Sequence, residues 1–132
     1  MDSYLTVIVN IANDVFYSLG PGYNEVVYHR AFEVALRLNN INYQSEVTIP
    51  IIYKDHNIGH GRIDLIIDNK LIIELKAVNN FNNDSVIQIK NYMKYQNIAI
   101  GLVVNFSQKN NVLDIKCIRG HEILNFVNGS FV

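Results

Sequence analysis

A chain of 132 residues, 49% of them hydrophobic and 17% charged, has the length of one domain and enough apolar side chains for one substantial core. Its formal net charge of −1 excludes the broad cationic surface of a protein that coats duplex nucleic acid, although an enzyme gripping a few phosphates needs far less positive charge. Its single cysteine, Cys117, excludes an intramolecular disulfide framework, and no apolar run is long enough to span a bilayer. In chain order, apolar residues at Leu5, Ile8, Val9, Ala12, Val15, Phe16 and Leu19 predict a helix from Asp2 to Ser18. Gly20-Pro21-Gly22 ends it. A second helix is expected from about Tyr23 to Asn39, with Val26, Val27, Ala31, Phe32, Ala35, Leu36 and Leu38 as its apolar side.

Beyond Asn39-Asn40 the chain turns β-branched. Tyr43 to Tyr53 reads as a strand, Lys54 to Asn57 as a turn, and Ile58 to Ile67 as a second strand carrying Gly59 and Gly61. Asp68-Asn69-Lys70 turns the chain again into a third strand, Leu71 to Ala77. A helix from Asn83 to Gln96 follows, with Val86, Ile89, Met93 and Tyr92 on its apolar side. Ile98 to Phe106 is near-continuously apolar, as a strand buried on both faces would be. Val112 to Ile118 gives a further strand, where Cys117 reads as a buried thiol, and the tail from His121 to Val132 has no decided form. The order ααβββαββ predicts a mixed α/β fold. Asp2 stands where a signal peptide would carry a basic residue, so an intracellular, cytoplasmic place is expected, with the nucleus left open.

Side chains two apart on a strand share a face. Arg62, Asp64, Ile66 and Asp68 are therefore expected to point one way and Ile63, Leu65 and Ile67 the other. On the next strand Ile72, Glu74 and Lys76 share a face. A three-residue loop at Asp68-Asn69-Lys70, with Asn69 left-handed, sets Ile67 against Leu71 and Asp64 against Glu74. A loop one residue shorter would separate the two carboxylates. The apolar pattern does not choose between these registers; the chemistry favours the first. Opposed carboxylates among Ile and Leu repel, and a hard divalent cation such as Mg²⁺ resolves that conflict. The simpler reading is the solvated face of an amphipathic hairpin, with Lys76 neutralising Glu74. By itself Glu25 is a helix-start acid. Gln88 and Tyr92, four apart on one helix face, are by themselves a surface glutamine beside a half-buried tyrosine.

Taken together these pieces resemble the GxxExxY proteins of the PD-(D/E)xK nuclease superfamily. The likeness runs from Leu19-Gly20-Pro21-Gly22 through Glu25 and Tyr28, to Arg62-Ile63-Asp64-Leu65 and Ile73-Glu74-Leu75-Lys76-Ala77-Val78. It continues to Gln88-x-x-x-Tyr92 and Val104-Asn105-Phe106. Gly61, where an aromatic residue is common, and Ile63, where alanine is, depart from the pattern. The resemblance implies a restriction-endonuclease-like αβββαβ core, a mixed central sheet flanked by helices, with an extra N-terminal helix. It implies one nuclease-like domain over 1–132, its core about 20–118, with the tail 121–132 uncovered.

It further implies a nuclease that hydrolyses phosphodiester bonds in nucleic acid, DNA ahead of RNA, with Mg²⁺ or Mn²⁺ as cofactor. Asp64, Glu74 and the backbone carbonyl of Leu75 would bind the metal. Glu25 would hold it through water or bind a second ion. Lys76 would orient the attacking water and stabilise charge on the phosphate. Gln88 and Tyr92 would support the catalytic site, and Arg62, Tyr92 and Lys76 would contact substrate. A homodimer or a larger complex would supply specificity, and no membrane partner is implied. The alternative is a catalytically silent module of the same fold that binds nucleic acid or a protein. Other chemistries find little footing. His29, His56, His60 and His121 are scattered, His121-Glu122 lacks the second histidine of a zinc protease, and no phosphate-binding loop, Rossmann fingerprint or nucleophile elbow is present.

Overall fold

The first helix, α1 (Ser3–Leu19), forms on the expected stripe: Leu5, Ile8, Val9, Ala12, Val15 and Phe16 are all buried. Gly20 stops it. Its φ of 71° lies in the left-handed region, and its N–H reaches back to the Phe16 carbonyl at 2.7 Å. The computed structural model describes residues 3–80, 82–108, 112–127 and 130–132, so the expected start at Asp2 lies outside the described residues. None of these helices is long and apolar enough to cross a membrane.

The second helix, α2 (Glu25–Leu38), turns differently from the apolar stripe expected for it. Val26 and Leu38 are exposed, while Tyr28, His29, Phe32 and Leu36 are buried. The reason is Tyr28. Its ring stacks on Phe106 with centroids 4.4 Å apart, and its hydroxyl donates to the Gly20 carbonyl at 2.6 Å. A tyrosine whose O–H is satisfied can be fully buried, and that anchor sets the rotation of the helix.

Then come β1 (Tyr43–Tyr53), β2 (His56–Ile67), β3 (Leu71–Lys76), α3 (Asn83–Gln96), β4 (Ile100–Phe106), β5 (Leu113–Arg119), β6 (Glu122–Val127) and β7 (Ser130–Phe131). The sheet runs β1 to β7 in chain order. All neighbours are antiparallel except β3 and β4, which α3 allows to run parallel by carrying the chain back. One core joins Leu71, Ile73 and Leu75 to α1 and α2; a second joins Ile72 and Val103 to Val86, Ile89 and Met93 of α3. This is a mixed α/β fold with helices on both faces of the sheet. The tail, left without a form by its sequence, adds β6 and β7. Apolar residues at Ile123, Leu124, Phe126 and Val127 break the alternation of a strand, and only contact decides which are inside. Leu124, Phe126 and Phe131 pack on the α1 side, while Ile123 and Val127 remain exposed.

The β2–β3 hairpin takes the three-residue register. Ile67 pairs with Leu71, Ile66 with Ile72 and Leu65 with Ile73. Both Asp68 (φ 51°) and Asn69 (φ 56°) are left-handed, where a single such residue was expected. The alternation of β2 does not continue as expected, however. Leu65 and Ile67 lie in the α1–α2 core, but Ile63 joins Ile66 in the α3 core. The break falls at Asp64. Opposite it Glu46 of β1, with φ 54°, drops out of the ladder between Ser45↔Leu65 and Val47↔Ile63. A left-handed residue of this kind re-aims the pleat, and it does so where the acidic side chain emerges.

Candidate active site

The β2–β3 ladder ends at Leu65↔Ile73, one pair short of Asp64 and Glu74. Beyond it, side chains take over from backbone. The Asp64 N–H donates to Glu74 Oε1 at 3.2 Å, and the Leu75 N–H donates to Asp64 Oδ2 at 2.8 Å. Each strand thus satisfies a backbone donor of the other through a carboxylate, which draws the two acids together. Asp64 and Glu74 are 4% and 3% exposed, which rules out a solvated hairpin face.

Burial of this kind is costly for charge. Burial, and next the neighbouring Asp64, push the Glu74 carboxyl from 4.5 up to about 8, against the opposing pull of the Asp64 N–H and Lys76. Half-buried Glu25, in the first turn of α2, is also raised by burial and by Asp64, and lowered by Lys76, Arg62 and His29. The structure therefore brings Glu25, Asp64, Glu74 and Lys76 within electrostatic reach of one another. Among the described residues no three His, Cys, Asp or Glu side chains are grouped closely enough to hold a metal by themselves. The donor set that fits a hard cation is the Asp64–Glu74 pair, supplemented by a backbone carbonyl such as that of Leu75.

On the α3 side, Gln88 Nε2 donates to the Tyr92 hydroxyl at 3.0 Å, and the Arg62 N–H also donates to that hydroxyl at 3.3 Å. Tyr92 is thereby tied to the β2 backbone two residues from Asp64. The Arg62 guanidinium is exposed, 3.4 Å from Glu46 and 3.9 Å from Asp64. Gly61 is explained by the same tyrosine: a Cβ there would come within 2.9 Å of Tyr92 Cε1 and 3.3 Å of Ile49 Cγ1. Gly61→Ala is expected to destabilise the protein by about 1–3 kcal/mol, the usual cost of overpacking, as chemical denaturation would measure. His60 is exposed on β2.

A family model described as the PD-(D/E)XK nuclease superfamily matches residues 2–118. The chain belongs to that superfamily. The fold is similar to that in the crystal structure of SSO0001, with a TM-score of 0.59 and 22% identity. That likeness covers 72% of this chain and 50% of the other, so the chain spans half the length of that protein. No curated protein matches the chain. Proteins of that superfamily generally act on nucleic acid and typically use a divalent metal.

Asn105, quoted from the sequence only as part of the likeness, and His29, read there as one of four scattered histidines, lie next to the candidate site residues in this PD-(D/E)XK chain. Asn105, 1% exposed, pairs with Lys76 across β3 and β4. Its side chain accepts from the Val78 N–H at 3.0 Å and donates to the Val78 carbonyl at 3.1 Å. The amide thus clamps the chain where it leaves Lys76. An asparagine inside an otherwise apolar strand was the available signal. Buried His29 lies one helical turn beyond Glu25, 2.8 Å from Ser45 Oγ and 3.5 Å from Glu33. Its spacing of four from Glu25 placed it on that helix face. The loop before α2 is pinned by Gln108, whose Oε1 accepts from the Gly22 N–H at 2.9 Å.

Proposed function

We propose that this protein is a Mg²⁺- or Mn²⁺-dependent nuclease of the GxxExxY kind, acting on DNA ahead of RNA, with residues 1–132 working as one domain. The observation that carries the reading is the reciprocal bonding of Asp64 and Glu74 beside Lys76. It keeps two carboxylates buried together, at a cost that a hard cation offsets. Each carboxylate spends one oxygen on a backbone N–H, and the second oxygen of Asp64 faces the exposed Arg62 guanidinium at 3.9 Å, which a ligand cation would displace. A divalent ion bound there supplies neutralisation of phosphate charge and polarisation of water.

The chain's own residues do the rest. Asp64, Glu74 and the Leu75 carbonyl would hold the cation. Lys76, near enough to Glu74 and Glu25 to lower both pKa values, orients the incoming water and offsets charge growing on the phosphate oxygens. Glu25 acts through water from α2. Tyr92, braced by Gln88, fixes β2, and Arg62 reaches the substrate backbone. Water adds to phosphorus and gives up a proton to solvent as the P–O bond to the leaving sugar oxygen breaks, and that oxygen takes a proton from solvent to leave as the hydroxyl.

The test is incubation with single- and double-stranded DNA and RNA, with Mg²⁺, Mn²⁺ or EDTA, beside Glu74→Gln. Cleavage by wild type only in the metal arms is expected. A folded wild type that cuts nothing and binds no divalent ion, even with nucleic acid present, would leave a silent binding module as the reading. Glu25→Gln should slow single-turnover cleavage about 10–100-fold, the scale of partners acting through a metal's ligands. An unchanged rate would return Glu25 to the status of a helix-start acid.

A further inference from the structure

Over Tyr92, whose hydroxyl meets the β2 backbone two residues from Asp64, lies a groove of about 670 Å³, within the ~300–1,000 Å³ range of small-molecule sites. One wall is a stripe of α3, Ile87, Gln88, Asn91 and Tyr95. The other is the outer part of β1, Ile49 to Ile52, and the floor is Gly61 and Tyr92. Ile87 is 57% and Tyr95 52% exposed, and Ile51 and Ile52 are exposed opposite them. A second, polar pocket of about 350 Å³ contains Lys76, Asn82 and Ser85, and it shares Asp84 and Gln88 with the groove. The two lie side by side along α3 and meet at Asp84 and Gln88, with Lys76 in the polar pocket and Tyr95 in the groove.

We infer that this groove receives an unpaired nucleobase adjacent to the scissile phosphate, so that the substrate is a single strand, overhang or flap and not an intact duplex. The inference rests on the nuclease reading and adds the form of its substrate. A phosphate held beside Lys76 leaves the neighbouring base as the nearest apolar group of the strand. The groove offers that base aliphatic walls, an exposed tyrosine for stacking and the amides of Gln88 and Asn91 for its edge. In a duplex the base faces are stacked and the edges paired, so no base is available to enter. Among the described residues, the lining of the groove includes one acid, Asp84, and no lysine or arginine, so stacking and not phosphate contact supplies its affinity. Lys90 and Lys94, exposed on the Ile87 side of the stripe, supply the modest cation density that a single backbone needs. Gly61 keeps the floor open, since any side chain there would fill it against Tyr92 and Ile49.

The test separates binding from cleavage. Fluorescence anisotropy in EDTA compares a labelled single-stranded oligonucleotide with its blunt duplex; cleavage of both is followed in Mn²⁺. The variants are Tyr95→Ala and Ile87→Asp, both at exposed positions, with Tyr17→Ala on distant α1 as control. Wild type should bind and cut the single strand at least about tenfold better than the duplex. Each groove variant should weaken single-strand binding about tenfold, the scale of losing a base-stacking partner, and Tyr17→Ala should not. Equal use of both substrates, with groove variants like wild type, would overturn the inference and leave the nuclease standing. Groove-dependent binding of the single strand without any cleavage would uphold the groove and sink the nuclease. Groove variants that change only the oligomeric state in sedimentation would reassign the surface to a second copy of the chain and overturn the inference.

Discussion

Glu74→Gln is expected to abolish divalent-metal binding and cleavage together, while making the metal-free protein more stable at pH 8. In the folded protein the Glu74 carboxyl is raised from 4.5 to about 8, chiefly by burial and then by Asp64. Between those values the unfolded chain has released the proton and the folded protein retains it. The folded state then binds more protons, so stability falls as pH rises through this window. For a group this deeply buried the loss is on the order of 3–5 kcal/mol. Glutamine keeps an oxygen to accept from the Asp64 N–H and does not titrate, so its unfolding midpoint in EDTA should decline less from pH 5 to 8 than that of wild type. Metal binding to wild type displaces the proton, so Mn²⁺ affinity should climb by up to about tenfold per pH unit until pH ~8. Thermal unfolding across pH and calorimetric titration with Mn²⁺ measure both effects. A wild-type midpoint that rises from pH 5 to 8, or normal Mn²⁺ affinity in the variant, would refute this account. Glu74→Ala is a poorer probe. From the sequence it is expected to hold or raise stability by relieving repulsion, but the structure shows that it would also strip the buried Asp64 N–H of its acceptor.

Lys76→Ala should lower single-turnover cleavage by ~10²-fold or more, the scale of losing one transition-state stabiliser, with metal binding retained. Lysine is not a ligand, so the carboxylates still meet a cation. Lys76 does lower the pKa of both Glu74 and Glu25, so its removal should shift the pH dependence of Mn²⁺ binding upward. Loss of metal binding at all pH values would instead make Lys76 a structural part of the site. The clamp on Val78 comes from Asn105 and not from the lysine, so the backbone there should stay in place.

How much of this was legible before folding differs from element to element. α3 was read at its bounds from its helical apolar stripe, and in the structure the Asn82 side chain caps its start and left-handed Asn97 ends it. α2 was read in extent but not in rotation, because Tyr28 and His29 are apolar enough to bury only when hydroxyl and ring nitrogen find partners, here Gly20 and Ser45. β6 and β7 were not legible, since consecutive apolar residues such as Ile123-Leu124 carry no period.

From the sequence alone came the order of helices and strands as far as β5, the hairpin turn at Asp68-Asn69, and a short roster of acids and one lysine at spacings that a strand converts into proximity. Those properties are local: they depend on periods of two and 3.6 residues and on side chains that tolerate a left-handed backbone. Tertiary structure decided where the β2–β3 ladder ends, that carboxylates there replace carbonyls as acceptors for the neighbouring strand, and that Glu25 arrives from α2 beside them. It also decided that Gly61 makes room for Tyr92 and that α3 and β1 leave a groove between them. These depend on Glu46 opposite Asp64 and on Tyr92, thirty residues along the chain from Arg62. Such contacts are fixed by packing across the sheet, and no local period in the chain encodes them.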